Sequence, residues 1–196
     1  FVHVSSLAAR EPALSLYGAS KAAAETAVEA SGLDWVIVRP PGVYGPGDAE
    51  MLELFRLAQR GLGVAPGGAA ARFSLIHVDD LAAALLVLAD AGPTGQILEI
   101  DDGTPGGHGH ADYARAIGAA VGRQVAVLPV PGWALNVAAA LRLSPKLTPD
   151  RARYLAHPDW VARGGNECLV GLWAPQRTLA DGLADTVAGY RARGWL

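Results

Sequence analysis

Two short apolar runs joined by an alanine-rich segment constrain the fold of this chain most. Residues 1–4 and 35–38 are mainly apolar and β-branched, which is typical of strands buried on both faces of a sheet. The residues between them, 17–30, contain no glycine or proline after Gly18 and end at Ser31-Gly32, which predicts a helix. A strand, a helix and a second strand in this order predict a parallel sheet with a right-handed crossover.

The remainder of the chain continues to alternate between strands and helices. Further strands are predicted over residues 73–78, 96–100 and 125–130, and further helices over 49–59, 81–88, 112–121, 131–143 and 179–193. Loops rich in glycine are predicted over 63–71 and 101–109. This alternation places the chain in the α/β class.

The composition restricts the partners and the compartment. Of 196 residues, 51% are hydrophobic and 18% charged, and 16 basic against 19 acidic side chains leave a net charge of −3 without a basic run. We therefore expect neither a nucleic acid nor a membrane as a partner. No apolar run reaches the roughly 18 residues of a spanning helix, and Cys168 has no second cysteine to pair with and is expected to be packed. A cytoplasmic protein is expected.

Tyr17 and Lys21 form the most informative pair in the sequence. With five tyrosines and two lysines in the chain, about 0.05 matches to Tyr-x-x-x-Lys are expected by chance. On a helix, this spacing places both side chains on one face. A nearby ammonium favours the phenolate and lowers the pKa of a tyrosine below its ordinary value of about 10, so we expect Tyr17 to exchange a proton near neutral pH.

Four motifs occur in a fixed order. Ser6 stands at the carboxyl end of the first predicted strand, the edge at which ligands bind in open parallel sheets. After it come YGASK, RPPGVYGPGD and FSLIHVDDLAAALL. Over residues 1–100 this pattern resembles the extended short-chain dehydrogenase/reductase superfamily, the NAD(P)-dependent epimerase/dehydratase group. The resemblance implies the C-terminal part of a Rossmann-type doubly wound parallel sheet, plus a small α/β substrate-binding region.

The resemblance also implies roles for individual residues. Ser6 is expected to hold the substrate oxygen, Tyr17 to act as general acid/base, and Lys21 to tune Tyr17 and bind the nicotinamide ribose. Pro40, Gly42 and Val43 are expected to lie against the nicotinamide, with Tyr17 and Lys21 completing the cofactor contacts. Tyr44 and Arg72 are expected to face the substrate.

The resemblance also bears on which cofactor and which substrate the protein uses. No G-x-x-G-x-x-G turn occurs in the sequence, so both NAD and NADP remain open as the cofactor. The interval from Ser6 to Tyr17 is eleven residues, shorter than in sugar-nucleotide epimerases, which argues against a nucleotide-sugar substrate.

Residues 1–48 are assigned to the cofactor domain, and residues 49–196 mainly to a substrate-binding region, with some segments returning to the Rossmann sheet. Because the chain opens inside a predicted strand, we expect it to be the C-terminal portion of a longer protein.

The expected reaction is hydride transfer between a nicotinamide and a carbinol or carbonyl of a small-molecule substrate, with a homodimer as the expected assembly. An epimerase or dehydratase that uses the same first step is the alternative within the class. A non-catalytic nucleotide-binding relative is a second alternative, against which the intact Ser6, Tyr17 and Lys21 argue. A serine hydrolase is a third, because residues 18–22 approximate a nucleophile elbow around Ser20. That elbow requires a preceding strand, and residues 12–16 predict only a weak one.

The histidines suggest metal ligands only at first sight. His77 and Asp79 are spaced H-x-D, but we expect His77 to be a packed strand residue and Asp79 to be the N-cap of the next helix. His108 and His110 lie in a glycine-rich loop without a nameable third ligand, and no metal is expected there.

Overall fold

Strands and helices alternate along residues 1–142 and 147–196, which this computed structural model describes. The strands are β1 (Val2–Val4), β2 (Val36–Val38), β3 (Gly42–Tyr44), β4 (Leu62–Pro66), β5 (Arg72–Phe73), β6 (Leu75–His77), β7 (Gln96–Leu98), β8 (His108–Gly109), β9 (Ala126–Val130) and β10 (Asp159–Trp160). The α-helices are α1 (Leu16–Glu29), α2 (Leu52–Gln59), α3 (Val78–Ala91), α4 (His110–Val121), α5 (Gly132–Ala140), α6 (Pro149–Ala156) and α7 (Leu179–Ala192). Short 3₁₀ helices cover Leu7–Arg10, Pro12–Leu14 and Asn166–Leu169. The predicted α/β class is confirmed.

These elements divide into two units. The first comprises Phe1–Val43, Ser74–Gly107 and Trp160–Gln176. The second comprises Tyr44–Phe73, His108–Asp159 and Arg177–Leu196. Each unit is therefore assembled from three separate stretches of the chain.

The first unit is built on a parallel sheet in the order β1-β2-β7. Val4 pairs with Val38, and Val38 pairs with Leu98, so the three strands end in register. Strand β2 is buried along its whole length, as predicted. Strand β1 is only half-buried and Val4 is exposed, so the expectation that β1 is covered on both faces is wrong: within the described residues it ends the sheet and has one neighbour.

Helix α1 crosses from β1 to β2 and matches the prediction to within one residue at each end. Its N-cap is Ser15, whose Oγ accepts a hydrogen bond from the backbone N–H of Gly18 at 3.0 Å. The core of this unit lies around β2 and contains buried residues of β6, α3 and β7; its fully or nearly buried members are Val36, Val38, Ile76, Leu81, Ala84, Leu88, Leu98, Ile100 and Leu169.

The strand predicted over 73–78 is two strands, β5 and β6, separated by Ser74. The buried Ser74 hydroxyl donates to Asp101 at 2.7 Å and accepts from the N–H of Ala162 at 3.1 Å, and the chain changes sheets at this residue. The N-cap of α3 is His77, not Asp79, because Nδ1 of His77 accepts from the N–H of Asp79 at 3.2 Å. The expectation that His77 is packed is confirmed, since it is buried.

In the second unit, β4 and β9 form a parallel pair over five residues each. The loop predicted over 63–71 is therefore wrong for its first residues, which belong to β4. A Cβ on Gly63 would lie 2.9 Å from the Cβ of Ala114, so the small residues that suggested a loop instead allow α4 to approach the strand closely.

The second unit has its own aromatic core. Phe55 on α2 is fully buried and meets the ring of Tyr190 on α7 edge to face, with ring centroids 5.0 Å apart. The Tyr190 hydroxyl donates to the backbone oxygen of Asp48 at 2.6 Å. Helices α5 and α6 pack through Leu135, Ala139 and Ala152.

Helix α5 was predicted to run to Leu143, a residue outside the described ranges. Its N-cap is Pro131, which precedes the first turn and does not belong to it. None of the helices in the described ranges combines the length and apolar composition that a membrane span requires.

Replacing Phe55 with alanine is expected to lower the free energy of unfolding by about 3–5 kcal/mol, because a buried ring is lost and its cavity stays. Glu53→Ala on the same helix removes only an exposed pair with Arg56 and is expected to cost less than about 0.5 kcal/mol. Urea unfolding of the two variants beside the parent protein measures both values. Equal losses would show that the Phe55–Tyr190 contact does not organise this unit.

Candidate active site

Ser6 lies two residues beyond Val4, the last residue of β1 at the carboxyl end of the parallel sheet. The parallel ladder continues past the strands, since the N–H of Ser5 donates to Val38 O at 2.7 Å and that of Leu7 to Pro40 O at 3.1 Å. Ser6 is buried and caps the 3₁₀ helix Leu7–Arg10, its Oγ accepting from the N–H of Ala8 at 3.2 Å. Because this bond uses an oxygen lone pair, it does not consume the hydroxyl proton.

Tyr17 and Lys21 lie on the first turns of α1, as their spacing predicts. The Lys21 ammonium lies 5.9 Å from the centre of the Tyr17 ring and donates to the backbone oxygen of Val4 at 3.2 Å. The Tyr17 side chain is accessible, with 53% of the residue exposed. Lys21 thus ties α1 to the end of β1 while its positive charge stays beside the tyrosine.

Gly18 sets the distance between α1 and the 3₁₀ helix that follows Ser6. A Cβ at this position would lie 2.6 Å from the backbone oxygen of Ala8 and 3.3 Å from that of Glu11. Real side chains do not approach backbone that closely, so any other residue would push the two segments apart. The glycine of the YGASK motif therefore lets the helix carrying Tyr17 pack directly on the segment that begins at Ser6.

Below this edge, charged side chains form a row across the sheet. Ser5, Arg39 and Glu99 directly follow the last residues of β1, β2 and β7. Arg39 holds Glu25 of α1 with two hydrogen bonds, Nε to Oε1 at 2.9 Å and Nη2 to Oε2 at 2.6 Å, and the Ser5 hydroxyl also donates to Oε1 of Glu25. Arg39 Nη1 lies 3.6 Å from Glu99, which also accepts from Arg10 Nη1 at 3.1 Å.

These contacts set the protonation state of Glu25. Burial raises the pKa of its carboxyl, but hydrogen bonds from Arg39 and Ser5 outweigh burial and hold the pKa below the ordinary 4.5. Because the pKa is lowered in the folded protein, the stability that Glu25 contributes is fully present above about 4.5 and is lost as the pH falls through the folded value. Glu25 is therefore a buried carboxylate at neutral pH.

The loop after β2 lies at the same edge as Ser6. Pro40 is buried, and Gly42 and Val43 are half-buried at the start of β3. Together with the donors of Tyr17 and Lys21, this surface fits the nicotinamide-ribose end of a dinucleotide: an ammonium has three donors, and the bond to Val4 uses one of them. The described residues contain no glycine-rich strand-to-helix turn of the kind that binds the pyrophosphate.

Tyr44 and Arg72, expected to face the substrate, belong to the second unit. Tyr44 is buried, and its ring lies against α7, where a Cβ on Gly182 would come within 2.9 Å of ring carbons. Arg72 is exposed on β5, which pairs antiparallel with β8. The structure thus brings Ser6, Tyr17, Lys21 and the Pro40 loop into one unit, and Tyr44 and Arg72 into the other.

The remaining candidate side chains, a histidine, the cysteine and the tryptophans, differ in how deeply they are buried. His110 stacks on Phe73 with ring centroids 4.4 Å apart, and burial lowers the pKa of its imidazole. Cys168 is exposed, so the expectation that it is packed is wrong: it lies on the short 3₁₀ helix that buries Leu169 instead. Among the tryptophans, Trp160 is buried and Trp133 is 71% exposed.

The structure argues against the serine hydrolase. Ser20 is an exposed residue within α1, and its hydroxyl donates to the backbone oxygen of Tyr17 at 2.8 Å. Residues Pro12–Leu14 form a 3₁₀ helix instead of the strand that a nucleophile elbow requires.

Sequence reasoning missed Glu25, Arg39 and Glu99. Two signals were present: Glu25 is the one acidic residue between Lys21 and Thr26 of an alanine-rich helix, and Arg39 and Glu99 each directly follow an apolar strand. A charge at the end of a buried strand needs a partner, and the helix supplies it.

The chain is similar to a curated protein over its whole length. A ceramide reductase of Caulobacter vibrioides (strain NA1000 / CB15N) is 38% identical over 205 residues, covering 100% of this chain and 63% of that protein. The chain therefore spans less than two thirds of the length of this relative.

Two solved structures show the same fold. The human epimerase family protein SDR39U1 (isoform 2), solved with NADPH, has a TM-score of 0.74 and 22% identity over 95% of this chain and 64% of its own. The dTDP-glucose 4,6-dehydratase of Bacillus anthracis, solved with NAD, has a TM-score of 0.69 and 18% identity over 97% of this chain and 61% of its own. The predicted Rossmann-type fold is confirmed.

The family model described as the NAD dependent epimerase/dehydratase family matches residues 4–101, the stretch that holds Ser6, Tyr17, Lys21 and the Pro40 loop. The resemblance read from the four ordered motifs is confirmed, and the expected cofactor, NAD or NADP, agrees with the NAD-dependent family and with solved structures of this fold that contain NADPH or NAD. The chain belongs to the NAD-dependent epimerase/dehydratase family.

Proposed function

We propose that this chain carries the catalytic residues of an NAD(P)-dependent reductase that converts a ketone to a carbinol. The observation that carries the proposal is the pair of Tyr17 and Lys21 on the accessible end of α1, with the ammonium 5.9 Å from the ring centre. Gly18 holds this end of the helix against the segment that begins at Ser6. A proton donor, a cation and a hydroxyl at one sheet edge are the groups that carbonyl reduction requires.

Tyr17, Lys21 and Ser6 divide the chemistry among them. The Tyr17 hydroxyl gives its proton to the carbonyl oxygen, and the Lys21 ammonium stabilises the negative charge that stays on the phenol oxygen. The Ser6 hydroxyl donates a hydrogen bond to the same carbonyl oxygen and so stabilises the charge that develops there. Lys21 and Tyr17 would hold the ribose of a bound nicotinamide dinucleotide, and Pro40, Gly42 and Val43 would hold its nicotinamide ring; in its reduced form the cofactor would supply the hydride for the carbonyl carbon.

The substrate class is suggested by the relative. The Caulobacter vibrioides protein is a ceramide reductase and is 38% identical to this chain. A reductase of this chemistry acts on a ketone, and the ketone that corresponds to a ceramide has a carbonyl in place of a carbinol of its long-chain base. We therefore propose a ketone of this lipid class as the substrate, in preference to the sugar nucleotides of the epimerases and dehydratases.

In the full-length protein, Tyr17→Phe is expected to lower kcat about 10²- to 10⁴-fold, because the ring is kept and the proton donor is lost. The dissociation constant of the reduced cofactor is expected to change little, because Lys21 and the Pro40 loop still bind it. The decrease of cofactor absorbance at saturating ketone measures kcat, and fluorescence titration measures binding. Ser20→Ala, three residues along the same helix and exposed, is the matched control and is expected to keep parental turnover.

Tyr17→Phe with near-parental turnover would remove Tyr17 from the mechanism.

Gly18→Ala is expected to lower kcat by about 100-fold, because its Cβ displaces α1 from Ala8 and so moves Tyr17 relative to Ser6. Ala19→Gly is the control: it lies next to Gly18, is exposed, and is expected to cost about 1 kcal/mol of stability through helix propensity without lowering kcat. Turnover is measured well below the thermal midpoint of each variant. A Gly18→Ala enzyme with parental kcat would show that this close contact does not align the site.

A further inference from the structure

The row of charges below the candidate site joins three strands and a helix. Ser5, Arg39 and Glu99 occupy equivalent positions, each directly after its strand, because Val4, Val38 and Leu98 are in register. Glu25 reaches the row from α1 and Arg10 reaches it from the 3₁₀ helix Leu7–Arg10. The segments that carry Ser6, Tyr17, Lys21 and Pro40 thus each contribute to the row.

The charges alternate along the row. Glu25, Arg39, Glu99 and Arg10 follow one another as negative, positive, negative and positive, with contacts between successive groups of 2.6, 3.6 and 3.1 Å. The backbone N–H of Arg163 donates to Glu99 at 2.8 Å, and Arg10 also donates to the oxygen of Val161 at 2.9 Å. His3 lies near enough to Glu25 to act on it electrostatically. The buried carboxylates are therefore paired, as burial requires.

Arg39 contacts Glu25 at two points, and this fixes the orientation of the two side chains relative to each other. A guanidinium that uses Nε and Nη2 on two carboxylate oxygens fixes both the distance and the orientation of its partner. Glu25 is therefore held in one position over the end of β2. Since Glu25 lies one helical turn after Lys21 and two after Tyr17, the same contact fixes the rotation of α1 about its axis.

Two residues of the row are direct neighbours in sequence of proposed site residues, one after β1 and one after β2. Ser5 precedes Ser6, and Arg39 precedes Pro40. A shift of Glu25 relative to Arg39 would move Tyr17 relative to both neighbours. Such a shift need not unfold the protein, because Lys21 and Gly18 hold α1 independently at its first turns.

We propose that Glu25 and Arg39 are positioning residues for the reductase chemistry: their ion pair sets the rotation of α1 and so aligns Tyr17 with Ser6 and with the Pro40 loop. The inference rests on the proposed function. Neither side chain touches the substrate in it, and both act through the residues they hold.

The test uses two conservative variants of the full-length protein. Glu25→Gln keeps the volume of the side chain and an acceptor for Ser5, but loses the charge. Arg39→Lys keeps the charge but loses the two-point contact. Each is expected to lower kcat by about 10- to 100-fold, while KM for the ketone and the dissociation constant of the cofactor change less than about threefold, because alignment affects the transition state more than binding.

The matched control is Glu29→Gln. Glu29 is the same residue type on the same helix, one turn further on, and it is exposed. It is expected to keep parental kcat. Turnover is expressed per folded molecule, with the folded fraction taken from thermal unfolding, so that a loss of stability alone leaves kcat unchanged.

The outcomes separate this inference from the proposed function. Reduced kcat with unchanged KM in each of the two variants that folds supports it. Parental kcat in either folded variant, beside an inactive Tyr17→Phe enzyme, overturns the positioning role and leaves the proposed function intact. If the parent protein does not consume reduced cofactor with any ketone, both fall together. If Glu25→Gln does not fold, Arg39→Lys alone decides.

Discussion

Two carboxylates and two guanidinium groups at the end of a parallel sheet impose the strongest constraint on this structure. Removing such groups from water costs several kcal/mol each unless the partners are correctly placed. Arg39 contacts Glu25 and Glu99 together and Arg10 also contacts Glu99, so these ion pairs hold the ends of β2 and β7 and helix α1 in defined relative positions. The polar row thus fixes the relative positions of these elements, which the apolar core around Val38 and Leu98 would leave variable.

The ion-pair row and the proposed catalytic residues occupy successive layers of one edge of the sheet. The row formed by Ser5, Arg39 and Glu99 comes first along the strands, and Ser6 and Pro40 follow one residue later. Tyr17 and Lys21 reach the same edge from α1, and Gly18 permits the close packing that brings them there. Family membership gives a nicotinamide dinucleotide as the cofactor, and the groups at this edge suit its nicotinamide end.

Local patterns in the sequence predicted the elements whose formation depends on local interactions. Helix α1 and strand β2 were predicted within one residue, because alanine content and β-branched runs determine them directly. Strand β4 was missed because its partner β9 lies about sixty residues away and its small residues read as a loop. The break at Ser74 depends on Asp101, and the N-cap by His77 on a side chain that propensity scales disfavour there. Such long-range or unusual contacts leave no periodic signal.

In the candidate site, too, the local features could be predicted from the sequence and the long-range contacts could not. Tyr17 and Lys21 were found by spacing within one helix, and Ser6 by its place at a strand end. Glu25 escaped notice because an acidic residue in an alanine-rich helix ordinarily faces water, and only the arrival of Arg39 and Ser5 from two strands makes it a buried carboxylate. The general lesson is that pairs within one element are visible in sequence, whereas a network across three strands needs the fold.

The central claim is that the protein transfers a hydride to a ketone carbon while Tyr17 protonates the oxygen. It is tested most directly by single-turnover reduction of a ceramide-type ketone with cofactor deuterated at C4 of the nicotinamide, followed by mass spectrometry of the product. The account predicts a carbinol with one deuterium on the former carbonyl carbon. A dehydrated or epimerised product without deuterium, formed with no net consumption of cofactor, would contradict it.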